Sequence, residues 1–284
     1  MSPRYGLAAL DLDGTALGAD PERFASGLLE AAAAAARAGV EVVFATGRPR
    51  PCMPAQLIQL RPAWLHTLIC CDGAQVWDLD TGALLWQKAL SGAALVRAAA
   101  LGEALDLPVE YIDSEGWYHV TGPHLRQLRS GPLGEYHRGV LARRGVELTA
   151  PPETLAPLGI LKLNLPRVPP DKAPTLVRAL AEAGVQGMEC GPGSFEVTAP
   201  EAGKQAAVAF AAGRLGLGMQ SVMALGDSGN DAALLRAAGW GVAMGNAPEE
   251  VRRAADAVAP SNIQGGAAWA IRRWLLEEPV DPVE

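Results

Sequence analysis

Residues 5–15, Tyr-Gly-Leu-Ala-Ala-Leu-Asp-Leu-Asp-Gly-Thr, restrict the possible folds more than any other stretch of the chain. A short apolar run bounded by a turn signal reads as a buried strand of a parallel sheet covered on both faces. Asp13-Gly14-Thr15 supplies the turn. Asp11 and Asp13 then lie at the carboxyl end of the strand, the edge at which open α/β sheets bind ligands. Side chains two apart share a strand face, so the two carboxylates converge on one object if the strand persists that far. Carboxylates held that close repel, and either a proton or a cation must relieve them. Taken alone, the same residues also fit an Asx-turn that merely closes a strand.

The pattern recurs. A helix is expected over residues 20–39, opened by Asp20-Pro21-Glu22 and closed by Gly39. The apolar run 40–45 follows and ends in Thr46-Gly47-Arg48. Strand, helix, strand with short connections makes a right-handed parallel unit, which brings Thr46 to the same sheet edge as Asp11. Near the other end of the chain, the apolar run 221–225 stops at Gly226-Asp227-Ser228-Gly229-Asn230-Asp231, and a helix from residue 203 precedes it.

Between these parts the texture changes. A hairpin over 75–87 leads into a stretch of antiparallel strand pairs and helices, with a helical region expected over 123–145. The fold class is therefore α/β: a doubly wound parallel-sheet core with an inserted α+β domain. The expected division is 1–83 and 193–284 for the core and 84–192 for the insertion.

With 284 residues, 49% of them hydrophobic, the chain can bury the cores of two domains. Its net charge of -7 and the lack of any basic cluster longer than an arginine pair argue against nucleic-acid binding. No run of about eighteen apolar residues suggests a membrane span, and no export signal opens the chain. Cys52, Cys70, Cys71 and Cys190 lack CxxC spacing, and the four histidines lack zinc spacing. The expectation is a cytoplasmic protein, monomer or homodimer, with reduced thiols.

Asp11, Asp13, Asp227 and Asp231 together make a hard-oxygen cluster at one sheet edge, which suits Mg²⁺ bound by a few carboxylates and substrate phosphate oxygens. The Thr46-Gly47 turn and Lys204 at a helix start offer donors and positive charge to an anion. Each element alone has an ordinary structural reading as a turn, a cap or a solvated lysine. Their joint occurrence at strand and helix ends points to a phosphate site.

The set Asp11-Leu-Asp13-Gly-Thr15, Thr46-Gly47-Arg48, Lys204 and Gly226-Asp227-Ser-Gly-Asn230-Asp231 resembles, in order, the four motifs of the haloacid dehalogenase superfamily. The inserted domain and the stretch Val242-Ala-Met-Gly-Asn246-Ala247 resemble its Cof-type sugar-phosphatase branch, class IIB, with an α/β cap. The resemblance covers essentially the whole chain. It implies a Mg²⁺-dependent phosphatase acting on a small phosphorylated metabolite, with a sugar phosphate as the first expectation. By that similarity Asp11 is the nucleophile that becomes an aspartyl-phosphate, and Asp13 is the general acid and then the base. Asp11, Asp13 through its carbonyl, and Asp227 would hold the metal, with Asp231 in support. Thr46, Gly47, Lys204 and Asn230 would bind the phosphoryl group, and Arg48 the substrate.

The chain departs from that pattern at Asp72-Gly73-Ala74, where the family usually has Asn-Gly-Ala. The extra carboxylate would stand near an anion site. Two further readings stay open: a phosphotransferase or mutase working through the same aspartyl-phosphate, and a non-catalytic phosphometabolite-binding protein. Retention of both Asp11 and Asp13 argues against the second, because binding alone does not need a nucleophile paired with an acid.

Overall fold

The structure, a computed structural model, describes residues 4–131 and 134–280. It divides into two compact units: Met1–Gly47 with Met53–Trp86 and Lys204–Glu284, and Arg48–Cys52 with Gln87–Gly203.

The first unit is built on an eight-stranded sheet. In chain order its strands are β1 (Leu7–Leu10), β2 (Glu41–Ala45), β3 (Thr67–Cys70), β4 (Gln75–Asp78) and β5 (Leu84–Gln87). After the second unit come β12 (Val222–Gly226), β13 (Trp240–Ala243) and β14 (Ala257–Val258). Across the sheet they run β14-β13-β12-β1-β2-β3-β4-β5. Pairing is parallel from β14 to β3, and β3 with β4 is antiparallel. The centre of the sheet is β1, every residue of which is buried, as a strand covered on both faces must be. In register, Leu10 of β1 stands beside Phe44 of β2 and Leu225 of β12. Three strands that end together put the turns after Leu10, Ala45 and Gly226 on one edge. Small residues let helix Lys204–Arg214 lie close to the sheet, where Ala207, Val208, Ala211 and Ala212 join Leu7, Val43 and Val222 in one core.

The second unit carries a six-stranded sheet: β6 (Glu110–Ile112), β7 (Tyr118–Thr121), β8 (Gly145–Leu148), β9 (Lys162–Leu165), β10 (Gln186–Gly191) and β11 (Ser194–Thr198), in the order β10-β11-β9-β6-β7-β8. Leu163, Leu165, Phe195 and Val197 pack against Leu95, Leu176 and Leu180 of helices Gly92–Ala104 and Ala173–Glu182. Glu110, Lys162, Asn164 and Glu196 make polar contacts instead. Asn164 Nδ2 donates to Glu110 at 3.0 Å and Lys162 Nζ to Glu196 at 2.5 Å.

Several expectations are corrected. The first helix begins at Leu28, after Gly27 in a left-handed turn, not at Asp20. Asp20 instead caps a local turn through the Glu22 N–H, and Leu17 and Phe24 form a bridge. The region 123–145 is two helices, Gly122–Ser130 and Glu135–Arg144, and residues 132–133 within it lie outside the described residues. Strand β8 follows them directly and pairs parallel to β7, a connection that no turn signal announces. Residues 193–203, which the sequence reading gives to the core, carry β11 of the second sheet. Among the described residues, no helix is long and apolar enough to cross a membrane.

Candidate active site

The strand of Asp11 does not persist. β1 ends at Leu10, and residues 12–16 wind into a tight turn in which Gly14 takes a φ of 77°. That turn separates the two aspartates. The Asp11 side chain is buried, whereas Asp13 is exposed. Convergence by strand alternation therefore fails: Asp11 stands at the sheet edge as the residue after β1, and Asp13 lies in the turn that follows.

Asp11 meets its partners across the chain. Lys204, the first residue of its helix and 2% exposed, donates from Nζ to Asp11 Oδ1 at 2.5 Å and to Asp231 Oδ1 at 2.7 Å. Asp231 uses its other oxygen at home, accepting from the N–H groups of Asp227 and Ser228 at 3.0 Å each, so it shapes its own loop and anchors the lysine at once. Asp227 accepts from Thr15 Oγ1 at 3.2 Å and from Asn246 Nδ2 at 3.1 Å. Asn246 also donates to the Gly14 carbonyl at 2.9 Å, tying the first turn to the loop after β13.

One carboxylate oxygen each from Asp11, Asp227 and Asp231 lies within 4.8 Å of the others. The electrostatics are those of a site short of positive charge. Burial pushes the Asp11 carboxyl well above its usual range, with the like charges of Asp231, Asp227 and Asp13 adding to the effect and Lys204 opposing it. Burial, and then Asp231, push Asp227 up to about 7. For Lys204, burial works against the ammonium, but Asp11, Asp231 and Asp72 outweigh it and hold the group charged, well above its ordinary value. Hard, converging carboxylate oxygens that resist ionising together fit a hard divalent cation, which would relieve their repulsion.

Thr46 is fully buried at the end of β2, where its N–H donates to the Ile69 carbonyl at 3.0 Å and its own carbonyl accepts from Asp72 N–H at 3.0 Å. Gly47 follows it, partly buried. Asn230 donates from Nδ2 to Asp72 Oδ1 at 2.7 Å and accepts from Ser228 Oγ at 2.6 Å. Arg48 lies in the second unit, its guanidinium 4.1 Å from the centre of the Tyr136 ring and 3.3 Å from the Cys52 carbonyl. Tyr136 Oη donates to the same carbonyl at 2.9 Å. Sequence reasoning passed over Thr15 and Asn246 as site residues. Asn246 had a usable signal: it follows an apolar strand in a Met-Gly-Asn turn, the pattern that singled out Thr46 and Asp227.

Comparison with known proteins gives the family and the fold. The sequence profile of the haloacid dehalogenase-like hydrolases matches residues 8–271. A provisionally named phosphatase of Streptococcus pyogenes serotype M6 is 28% identical over 276 residues, which is 95% of this chain and 98% of that one. The 5-amino-6-(5-phospho-D-ribitylamino)uracil phosphatase of Bacillus subtilis strain 168 is 48% identical over 85 residues, 30% of this chain and 34% of that enzyme. A solved sugar phosphatase of subclass IIB in the same superfamily shares the fold, with a TM-score of 0.77 at 23% identity over 94% of this chain and 98% of that one. The chain belongs to the haloacid dehalogenase-like hydrolase family.

Proposed function

We propose that this hydrolase is a Mg²⁺-dependent phosphomonoesterase that acts on a small phosphorylated metabolite, in the first instance a sugar phosphate, through an aspartyl-phosphate on Asp11. The observation that carries the reading is the convergence of Asp11, Asp227 and Asp231 on one point, with Lys204 bonded to two of them. Asp11, Asp227 and Asp231, with the Asp13 carbonyl, would hold Mg²⁺, which supplies charge neutralisation for the phosphate oxygens. An Asp11 carboxylate oxygen attacks phosphorus, and the phosphorus–oxygen bond to the leaving group breaks. Asp13, exposed in the turn after β1, gives that oxygen its proton. Asp13 then takes a proton from water, whose oxygen attacks the aspartyl-phosphate, releasing inorganic phosphate and restoring Asp11. Lys204 and the Thr46-Gly47 turn neutralise and orient the transferring group throughout.

The second unit serves in this reading as the cap that closes over the leaving group and selects it. The substrate class is supported by likeness to a subclass IIB sugar phosphatase. The test is release of phosphate from p-nitrophenyl phosphate and a panel of sugar phosphates, with and without Mg²⁺. Mg²⁺-dependent release that disappears in Asp11→Asn, with the fold retained by circular dichroism, is expected. No release from any substrate by folded, Mg²⁺-bound protein would overturn the reading.

A further inference from the structure

Asp72 is a fully buried carboxylate that the reaction above does not use. It sits in the tight turn after β3, at a φ of 54° and a ψ of 33°. Aspartate and asparagine adopt that left-handed conformation more readily than other side chains. Its backbone N–H is held by the Thr46 carbonyl at 3.0 Å, so its place is fixed relative to the Thr46-Gly47 turn. Its Oδ1 accepts from Asn230 Nδ2 at 2.7 Å. The amide of Asn230 is thereby locked in one orientation, its oxygen turned to Ser228 and its nitrogen to Asp72.

The charge matters as much as the bond. The buried carboxyls of Asp11, Asp231 and Asp72 all act on the Lys204 ammonium, with Asp227 partly buried beside them. Asp11 and Asp231 bond the lysine directly. Asp72 adds a further negative charge beside Asn230 and the Thr46-Gly47 turn, the groups that the phosphomonoesterase reading assigns to the phosphate. A buried charge acts on its neighbours with little screening.

We propose that Asp72 is a positioning residue that orients the Asn230 amide and, by its charge, holds down the affinity of the site for phosphate, so that the product leaves readily. This rests on the phosphomonoesterase reading. Asp72→Asn separates the two effects, because its amide oxygen can still accept from Asn230 while the charge is gone. A merely structural role predicts that any change at Asp72 weakens ligand binding; the proposal predicts the opposite sign.

Titration of inorganic phosphate into the Mg²⁺-loaded full-length protein by calorimetry tests it. Asp72→Asn should bind phosphate about fivefold tighter or more than the wild type. In turnover, its KM should fall and inhibition by product should deepen. Asp72→Ser also removes the charge but is too short to hold the Asn230 amide, so it should bind phosphate less tightly than Asp72→Asn, and the difference between the two reads the positioning. Equal or weaker phosphate binding by Asp72→Asn, with the wild type binding phosphate, would overturn the proposal alone. No phosphate binding by any of the proteins, the wild type included, would overturn the hydrolase reading and the proposal with it.

Discussion

Lys204 and Asp11, 193 positions apart in the sequence, meet at 2.5 Å between Nζ and Oδ1, and Asp231 closes the same ammonium from the other side at 2.7 Å. Removing one member of a buried ion pair leaves its partner charged and unsolvated, a loss of about 3–5 kcal/mol. Lys204→Met should therefore destabilise the protein by roughly that amount at neutral pH, besides abolishing turnover. The ammonium's pKa is raised, so its contribution is complete below the ordinary lysine value of 10.5 and is lost only as pH rises through the raised one. In the variant, protonating Asp11, whose pKa burial already raises, removes uncompensated charge, so the deficit against wild type should shrink in acid. Urea unfolding at neutral and acidic pH measures both. An unchanged midpoint at neutral pH would contradict the structural role of the pair.

Asp227 gives the site a pH signature. Burial, then the charge of Asp231, lift its carboxyl from 3.8 to about 7. The metal-free folded protein thus holds a proton that the unfolded chain lacks between those values, and its stability should fall as pH rises across that window. Mg²⁺ needs the ionised form, so metal affinity should rise through about pH 7 and binding below it should release a proton. Calorimetry in two buffers of different ionisation enthalpy reads the proton release. Asp227→Asn should bind Mg²⁺ weakly and release no proton from this position.

Gly14 stands where no side chain fits. At its φ of 77°, an added Cβ would lie 2.2 Å from Asp227 Oδ2. Gly14→Ala must therefore strain the backbone, at about 1–3 kcal/mol, and push Asp227 out of the carboxylate cluster. Mg²⁺ affinity should drop at least about tenfold, equivalent to 1.4 kcal/mol. A variant that keeps wild-type metal affinity would show that the turn yields instead of the ligand.

How far the site can be read in advance depends on how local its determinants are. Thr46 and Asp227 are legible because each closes an apolar strand in a turn, and a parallel sheet gathers such ends on one edge. Asp13 escaped the same logic, because Gly14 turns the chain before strand alternation can align it with Asp11. The bond between Asn230 and Asp72 joins positions 158 apart and has no local signature. In the second unit, β8 follows its helix at once and leaves no connecting turn to read, and a boundary at residue 193 cuts β11 from β9, a long-range pairing that no local pattern reveals. The alanine-rich first helix shows the limit of capping signals. Asp20 could cap either a helix or a turn, and Gly27 decided the start.

The second unit should show its own dependence on pH through His137. Its Nε2 lies 2.6 Å from Oε1 of Glu110, a carboxylate with no exposed surface. Burial works against the imidazolium, but the hydrogen bond and charge of Glu110 prevail, assisted by Glu196 and opposed by Lys162, and the pKa rises above 6.5. A raised histidine pKa contributes stability that is complete below 6.5 and is lost as pH climbs through the raised value. Unfolding midpoints of the metal-free protein, measured at intervals upward from about pH 6, should fall more steeply than the slope that Asp227 alone supplies. His137→Gln can still donate to Glu110 but cannot titrate, so that part of the slope should vanish while the remainder persists. Identical slopes for His137→Gln and wild type would mean that the imidazole stays neutral against Glu110 and that the pair is an uncharged hydrogen bond.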